Sequence, residues 1–247
     1  MAANLDNLRV VLVAVRNPLN IGAAARAMSN FGVRRLRVVN PYEVAFQEAR
    51  SAVGASALLA KAEQFETVAE AVADCKLVVG TTAVGPRDLQ HRLHRLDDGG
   101  RAIKRQLNTG PVALLFGSER YGLSNEELSH CHWLMRIPTR EEHGSMNLGQ
   151  AVAVCLYELV RGRKTAPAIT KTSPAKKEKN AATSGNVERL TLVLLEVLRT
   201  SGFVKPRAVA AEEKLRRLVR RLELNANDAE VLLGMLRQIA WKLDANQ

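Results

Sequence analysis

The chain has 247 residues, 47% of them hydrophobic, with three cysteines and a formal net charge of +11. That is apolar material for a substantial core in one large domain or two smaller ones, which excludes a disordered protein. No apolar run approaches bilayer-spanning length, and the basic balance points to an anionic partner, nucleic acid first.

Cys75, Cys131 and Cys155 are odd in number, far apart and without a C-x-x-C pair. They suit reduced thiols in a cytosol better than disulfides or a zinc site. Met1 to Leu8 lacks the basic start and apolar stretch of a signal peptide, so a cytoplasmic chain is expected. The charge is unevenly placed: residues 161–179 hold seven Lys and Arg against one Glu.

In chain order, Leu8 to Val15 is a nearly continuous apolar run, as expected of a strand buried on both faces, and Arg16-Asn17-Pro18 stops it. A helix over Asn20 to Met28 follows, with Asn20 or its neighbour as amino-terminal cap and Gly32 beyond its end. Arg26 lies about a turn and a half along it, near enough to project towards the strand ends. Leu36 to Val39 is a second strand, stopped by Asn40-Pro41, and the alanine-rich segment Glu43 to Phe65 reads as helical pieces broken at Gly54. Thr67 and Glu70 form a capping box for a helix ending near Cys75. Lys76 to Gly80 is a third strand, and Thr81, Thr82 and Ala83 follow at its carboxyl end, where open α/β sheets build ligand crevices.

Residues 84–98 read as a basic loop with Arg87, Arg92 and Arg95, fit either to touch phosphates or to be solvated. Ala102 to Leu107 is a short helix before the strand Val112 to Phe116, which breaks into the glycine-bearing loop Gly117 to Leu123. Ser124 and Glu127 form a second capping box. Gly117, Gly122 and Ser124 have the spacing of a phosphate-binding loop, but Leu123 stands where that loop needs its lysine, and no G-x-G-x-x-G follows any strand. Arg136-Ile137-Pro138 then leads through a polar loop ending Gly144-Ser145-Met146-Asn147 into a helix over Gln150 to Leu159. Strands alternating with helices imply an α/β fold with a mainly parallel sheet over residues 1–162.

From 163 to 186 the composition of Lys, Thr, Ser, Pro and Ala predicts a flexible basic linker. Over 187–247 three apolar stripes follow: Leu190, Val193, Leu194, Val197 and Leu198; Leu215, Leu218, Val219 and Leu222; Leu232, Met235, Leu236 and Ile239. They predict a small all-helical domain. Lys214, Arg216, Arg217, Arg220 and Arg221 on its second helix form a candidate nucleic-acid surface, and an ordinary charged helix face would look similar.

Three blocks of this chain resemble the SPOUT (SpoU/TrmH-type) RNA 2′-O-ribose methyltransferases. They are Asn20-x-Gly22-x-x-x-Arg26, Phe116-Gly117-x-Glu119-x-x-Gly122-Leu123, and Ile137-Pro138 followed by Ser145-Met146-Asn147-Leu148, within residues 8–160. Thr200-Ser201-Gly202-Phe203 and Lys214-Leu215-Arg216-Arg217-Leu218 are similar to the helical extension of the TrmJ branch, which acts on nucleotide 32 of the tRNA anticodon loop. The resemblance implies S-adenosylmethionine as methyl donor, no metal, a trefoil knot at the carboxyl end of the α/β domain, and a homodimer whose active site is completed across the subunit interface. It also implies a cofactor pocket lined by Thr81, Thr82, Ala83, Gly117, Ile137, Gly144, Ser145 and Met146. Arg26 is then the catalytic residue, either as a base or as a clamp on the substrate phosphate and developing alkoxide. A guanidinium is effectively always protonated, which favours the clamp. Asn20, Glu119, Ser145 and Asn147 would hold the ribose and Arg26 in place. Met146 replaces the more usual leucine, and Ser118 stands where the TrmJ branch often carries arginine. Ribosomal RNA is the alternative substrate, and an RNA-binding homologue without catalysis is the rival class.

Overall fold

The computed structural model describes residues 4–42, 45–47, 49, 56–83, 90–140, 142, 144–161, 181–205 and 209–244. The strands are β1 (Leu8–Val13), β2 (Arg35–Val39), β3 (Glu63–Phe65), β4 (Leu77–Thr81), β5 (Leu93–Arg95), β6 (Val112–Phe116) and β7 (Trp133–Arg136). The helices are α1 (Pro18–Asn30), α2 (Ser56–Ala60), α3 (Val68–Ala71), α4 (Leu96–Gln106), α5 (Asn125–Ser129), α6 (Leu148–Val160), α7 (Ser184–Thr200), α8 (Val209–Arg221) and α9 (Ala226–Asp244). All seven strands pair in parallel in the order β3-β2-β1-β6-β4-β7-β5.

Every residue of β1 and β6 is buried, and the two-residue alternation of a strand sends their side chains to two separate cores. Val10, Leu12, Leu114 and Phe116 pack with Ile21, Met28, Ile103, Val152 and Leu156 from α1, α4 and α6. Val11, Val13, Ala113 and Leu115 pack with Val68, Val72, Leu123 and Leu128 on the other face. Buried arginines interrupt the apolar strands: Arg9 of β1 and Arg37 of β2 both reach Asp74, at 3.3 and 2.5 Å, and Arg37 also pairs with Glu63. Burial opposes Asp74's charge, yet Arg37 and Arg9 outweigh it and hold the carboxyl below the usual carboxylate range.

Several elements depart from the sequence expectations. Residues 63–65 are a strand at one edge, where helical pieces were expected, and Leu93–Arg95 is a strand at the other edge, inside the predicted basic loop. Arg92 and Arg95 therefore flank or belong to that edge strand, and Arg87 lies outside the described residues. The cap of α1 is Asn17, whose side chain accepts from the Leu19 N–H at 2.9 Å, with Pro18 opening the helix; Asn20 is inside it. Both capping boxes form as their spacing requires.

The helical unit begins earlier than expected, with Thr183 capping α7 from Ser184, so 184–186 are helix and not linker. It is seated on the α/β unit: the N–H groups of Ser184 and Gly185 donate to the Cys75 and Ala73 carbonyls at 2.8 and 2.9 Å. Two of the five cations assigned to a nucleic-acid surface are consumed there. Arg216 binds Glu188, Glu212 and the Ser129 hydroxyl, while Arg220 binds Glu188 and the His130 carbonyl, and both are buried. Lys214 and Arg221 remain exposed, and Arg217 is half-buried beside Glu213.

Candidate active site

In open parallel sheets a crevice forms where successive connections leave adjacent strands in opposite directions. Here the chain leaves β1 through α1 towards β2, and leaves its neighbour β6 through α5 towards β7 on the opposite side. At that divergence lies a cavity of about 510 Å³, and Asn20, Thr81, Thr82, Gly117, Glu119, Ser145, Met146 and Asn147 contribute to its walls.

Its floor is built by the loop after β6. A Cβ at Gly117 would collide with the Gly122 backbone, and Gly122 itself has φ +67°. Only glycine suits either place, so the loop can close on itself with the Gly122 N–H donating to the Ser118 carbonyl at 2.8 Å. That closure directs Glu119 back across the β1–β6 divergence. Its carboxylate accepts from the backbone N–H groups of Arg16 and Asn17, at 3.3 and 3.1 Å, and from the Asn20 amide at 3.0 Å.

The relay continues from Asn20, whose Oδ1 accepts from the Asn147 amide at 2.9 Å. Asn147 in turn caps α6, its Oδ1 accepting from the Gly149 and Gln150 N–H groups. Three polar clusters distant in sequence therefore meet in one hydrogen-bonded chain. Asn147, not Ser145, is the α6 cap, and Ser145 is left to line the cavity. Partial burial works against the Glu119 charge, but the Asn20 amide and the N–H groups of Glu119, Arg16 and Asn17 outweigh it and keep the carboxyl below the usual range. A carboxylate so held is a fixed negative charge and a poor proton acceptor near neutrality.

A smaller cavity of about 60 Å³ adjoins the first, sharing Thr81, Thr82, Ala83, Met146 and Ala151 and adding Ile137 and Gly144. All eight residues expected to line a cofactor pocket thus border one or other cavity. The Thr81 hydroxyl is already committed, donating to the Leu115 carbonyl at 2.8 Å. Phe116, Leu123, Leu148 and Ala151 supply an apolar wall that sequence reasoning did not assign. The backbone N–H groups of Arg16 and Asn17 were also missed as partners of Glu119, and no local signal marks them, because the contact joins residues more than 100 positions apart.

Arg26 stands apart. It is exposed on α1, borders neither cavity, and takes part in none of the side-chain hydrogen bonds or ion pairs among the described residues. It lies six positions after Asn20, about 9 Å along the helix axis. No cluster of metal-ligating side chains occurs among the described residues, and no helix there is long and apolar enough to cross a membrane.

The chain is 37% identical over 244 residues to a tRNA (cytidine/uridine-2′-O-)-methyltransferase TrmJ of Yersinia pestis, covering 95% of this chain and 92% of that one. The crystal structure of TrmJ from Z. mobilis ZM4 superposes with a TM-score of 0.79 at 31% identity, covering 94% of this chain and 98% of its own. A probable methylase family protein from Haemophilus influenzae superposes at 0.57 with 32% identity, covering 98% and 100%. Residues 7–157, which hold the sheet, both cavities and the Glu119–Asn20–Asn147 relay, match the SpoU rRNA Methylase family, and the chain belongs to that family in its TrmJ branch.

Proposed function

We propose that this chain is an S-adenosylmethionine-dependent tRNA 2′-O-methyltransferase. It acts as a cytoplasmic homodimer on the ribose of cytidine or uridine 32 in the anticodon loop. The observation that carries this reading is the meeting of the Glu119, Asn20 and Asn147 clusters beside a cavity bordered by the family's cofactor positions. The TrmJ relatives favour tRNA over ribosomal RNA, because they match this chain through its helical carboxyl-terminal unit as well as its α/β unit.

The cavity suits such a donor. Its apolar wall of Phe116, Leu123 and Leu148 faces polar groups at Thr82 and Ser145, and the glycine loop brings backbone close to whatever enters. Glu119, held ionised, favours a cationic ligand at that wall. When bound, the donor supplies an electrophilic methyl group on a sulfonium. The chain's own task is to hold a ribose hydroxyl in line with it and to stabilise the oxygen as its proton passes to solvent.

Asn20, Ser145 and Asn147 are placed to orient the sugar, and Glu119 fixes Asn20. Arg26 is the electrostatic clamp on the substrate phosphate and developing alkoxide. Its position outside its own subunit's cavity supports a site completed by the partner subunit, which makes the homodimer a requirement of the chemistry. The trefoil knot belongs to the same reading, supported by β4 lying between β6 and β7 although it precedes both in the chain. The test is to incubate the purified protein with total RNA and methyl-labelled donor, then map the label by nuclease digestion and mass spectrometry. Label on the 2′-oxygen of tRNA nucleotide 32 is expected, and label only in ribosomal RNA or only on bases would overturn the assignment.

A further inference from the structure

Beside the cavity, the carboxyl ends of three adjacent strands carry two arginine–tyrosine pairs. Arg16, three residues beyond β1, holds its guanidinium carbon 5.6 Å from the ring centre of Tyr42, three residues beyond β2. Arg120 and Tyr121, in the loop after β6, stand in the same relation at 5.1 Å. Tyr42 is 50% exposed and Tyr121 65% exposed, and both arginines are exposed.

A residue within two positions of Arg16, Tyr42 and Tyr121 has its backbone in the left-handed region. Ala14 (φ 52°) and Asn40 (φ 47°) lie two residues before Arg16 and Tyr42, and Gly122 (φ 67°) directly follows Tyr121. A non-glycine residue in that region persists only where its surroundings hold it, and such residues gather at binding sites. The pairs are also tied together, since the Glu119 carboxylate next to Arg120 accepts from the Arg16 N–H.

We infer that Tyr42, Arg16, Arg120 and Tyr121 form a strip that binds a short unpaired RNA segment, the tyrosines stacking on exposed bases and the arginines contacting phosphates. The inference rests on the proposed function and extends it by naming how the nucleotides around the target are held. Aromatic rings beside guanidinium groups are the chemistry by which single-stranded nucleic acid is held, and the chain's net charge of +11 favours a polyanion over a second protein surface as the occupant. The strip runs along the β2–β1–β6 edge and ends at the cavity that Tyr121 borders, so a segment lying on it delivers one nucleotide to the relay of Asn20 and Asn147.

The experiment uses the full-length protein and a tRNA transcript, with equilibrium RNA binding measured by fluorescence anisotropy. Tyr42→Ala and Tyr121→Ala are each expected to weaken RNA binding about tenfold, while Tyr42→Phe and Tyr121→Phe stay within about twofold because the ring is kept. Arg16→Gln is expected to lower the slope of log affinity against log salt by roughly one, with donor affinity by calorimetry unchanged for Arg16→Gln and Tyr42→Ala. RNA affinity unaltered in both alanine variants, in a wild-type protein that methylates tRNA, overturns the strip alone. A change of oligomeric state in place of RNA affinity also overturns it, by making this face a contact between copies. A wild-type protein that neither binds nor methylates RNA sinks the proposed function itself.

Discussion

The Asn147 amide donates to the side-chain oxygen of Asn20 across 2.9 Å, joining the starts of two helices 127 residues apart in the chain. One side chain therefore does two jobs, because the other end of the same amide caps α6. Asn147→Asp keeps the cap, since an aspartate oxygen accepts from the Gly149 N–H equally well, but it cannot donate to Asn20. The variant should melt within a few degrees of wild type and lose at least about tenfold in methyl-transfer rate, whereas Asn147→Ala should also cost about 1 kcal/mol of stability. Unimpaired turnover in Asn147→Asp, measured as initial rate at saturating donor and tRNA, would remove the relay from the chemistry.

Arg26 is exposed and separated from its own cavity, so Arg26→Ala should leave stability within about 0.5 kcal/mol and donor affinity unchanged. Turnover should fall by roughly 10² or more, as when a transition-state donor is removed. Mixing inactive Arg26→Ala with inactive Asn147→Ala tests the shared site. If each site takes Arg26 from the partner subunit, subunit exchange at equal amounts yields hybrid dimers with one intact site and restores about a quarter of wild-type activity. No restoration would place both residues in a site made by one chain.

His132 is half-buried, and its Nδ1 accepts from the Val78 N–H at 3.0 Å, so it must be neutral on that nitrogen. Burial and the nearby Arg220 lower its pKa from 6.5 to about 4. The unfolded chain therefore binds a proton that the folded chain refuses between those two values. The resulting stability is complete above pH 6.5 and is lost as pH falls towards 4, at up to about 1.4 kcal/mol per pH unit. His91, lowered to about 4 chiefly by burial, adds a loss of the same sign over the same range. Denaturant unfolding at several pH values should show this slope, with a shallower one in His132→Asn, and an identical slope in the variant would contradict the assignment.

Glu188 of α7 is the common partner of Arg216 and Arg220 of α8, on the side of the helical unit that meets Ser129 and His130. Burial opposes its charge, but the two arginines and His130 keep it ionised. Removing that charge leaves the buried Arg220 without its carboxylate and Arg216 with Glu212 alone, so Glu188→Gln should destabilise the protein by about 3 kcal/mol. For the same reason, cutting the chain after Val160 should uncover the Ser129, His130, Ala73 and Cys75 contacts and lower the stability of the α/β unit as well as RNA affinity. A truncated protein as stable to urea as the full chain would show that the helical unit is only appended.

Where a feature depends on neighbours in the chain, the sequence was legible. Continuous apolar runs marked β1 and β6, serine or threonine three residues before glutamate marked two helix starts, and Gly117 and Gly122 marked a tight loop. The edge strands β3 and β5 were not legible, because three residues carry no period and their pairing is decided by partners elsewhere. Arg216 and Arg220 could not be told from solvated arginines for a similar reason. They sit one turn apart on a charged helix, and only Glu188 and the His130 carbonyl, supplied by other elements, show that the face is covered. At the site the residues were found but their division of labour was not, since a cap and a ligand contact ask for the same side chains at a helix start.

If the crevice presents a sugar hydroxyl to a methyl donor, deleting that acceptor atom from the RNA abolishes transfer without touching the protein. Initial rates should be measured on a tRNA carrying 2′-deoxycytidine or 2′-deoxyuridine at nucleotide 32, against a control deoxy substitution at another loop position. Transfer should vanish for the first and persist for the second; methyl incorporation that continues into the 32-deoxy tRNA would contradict it.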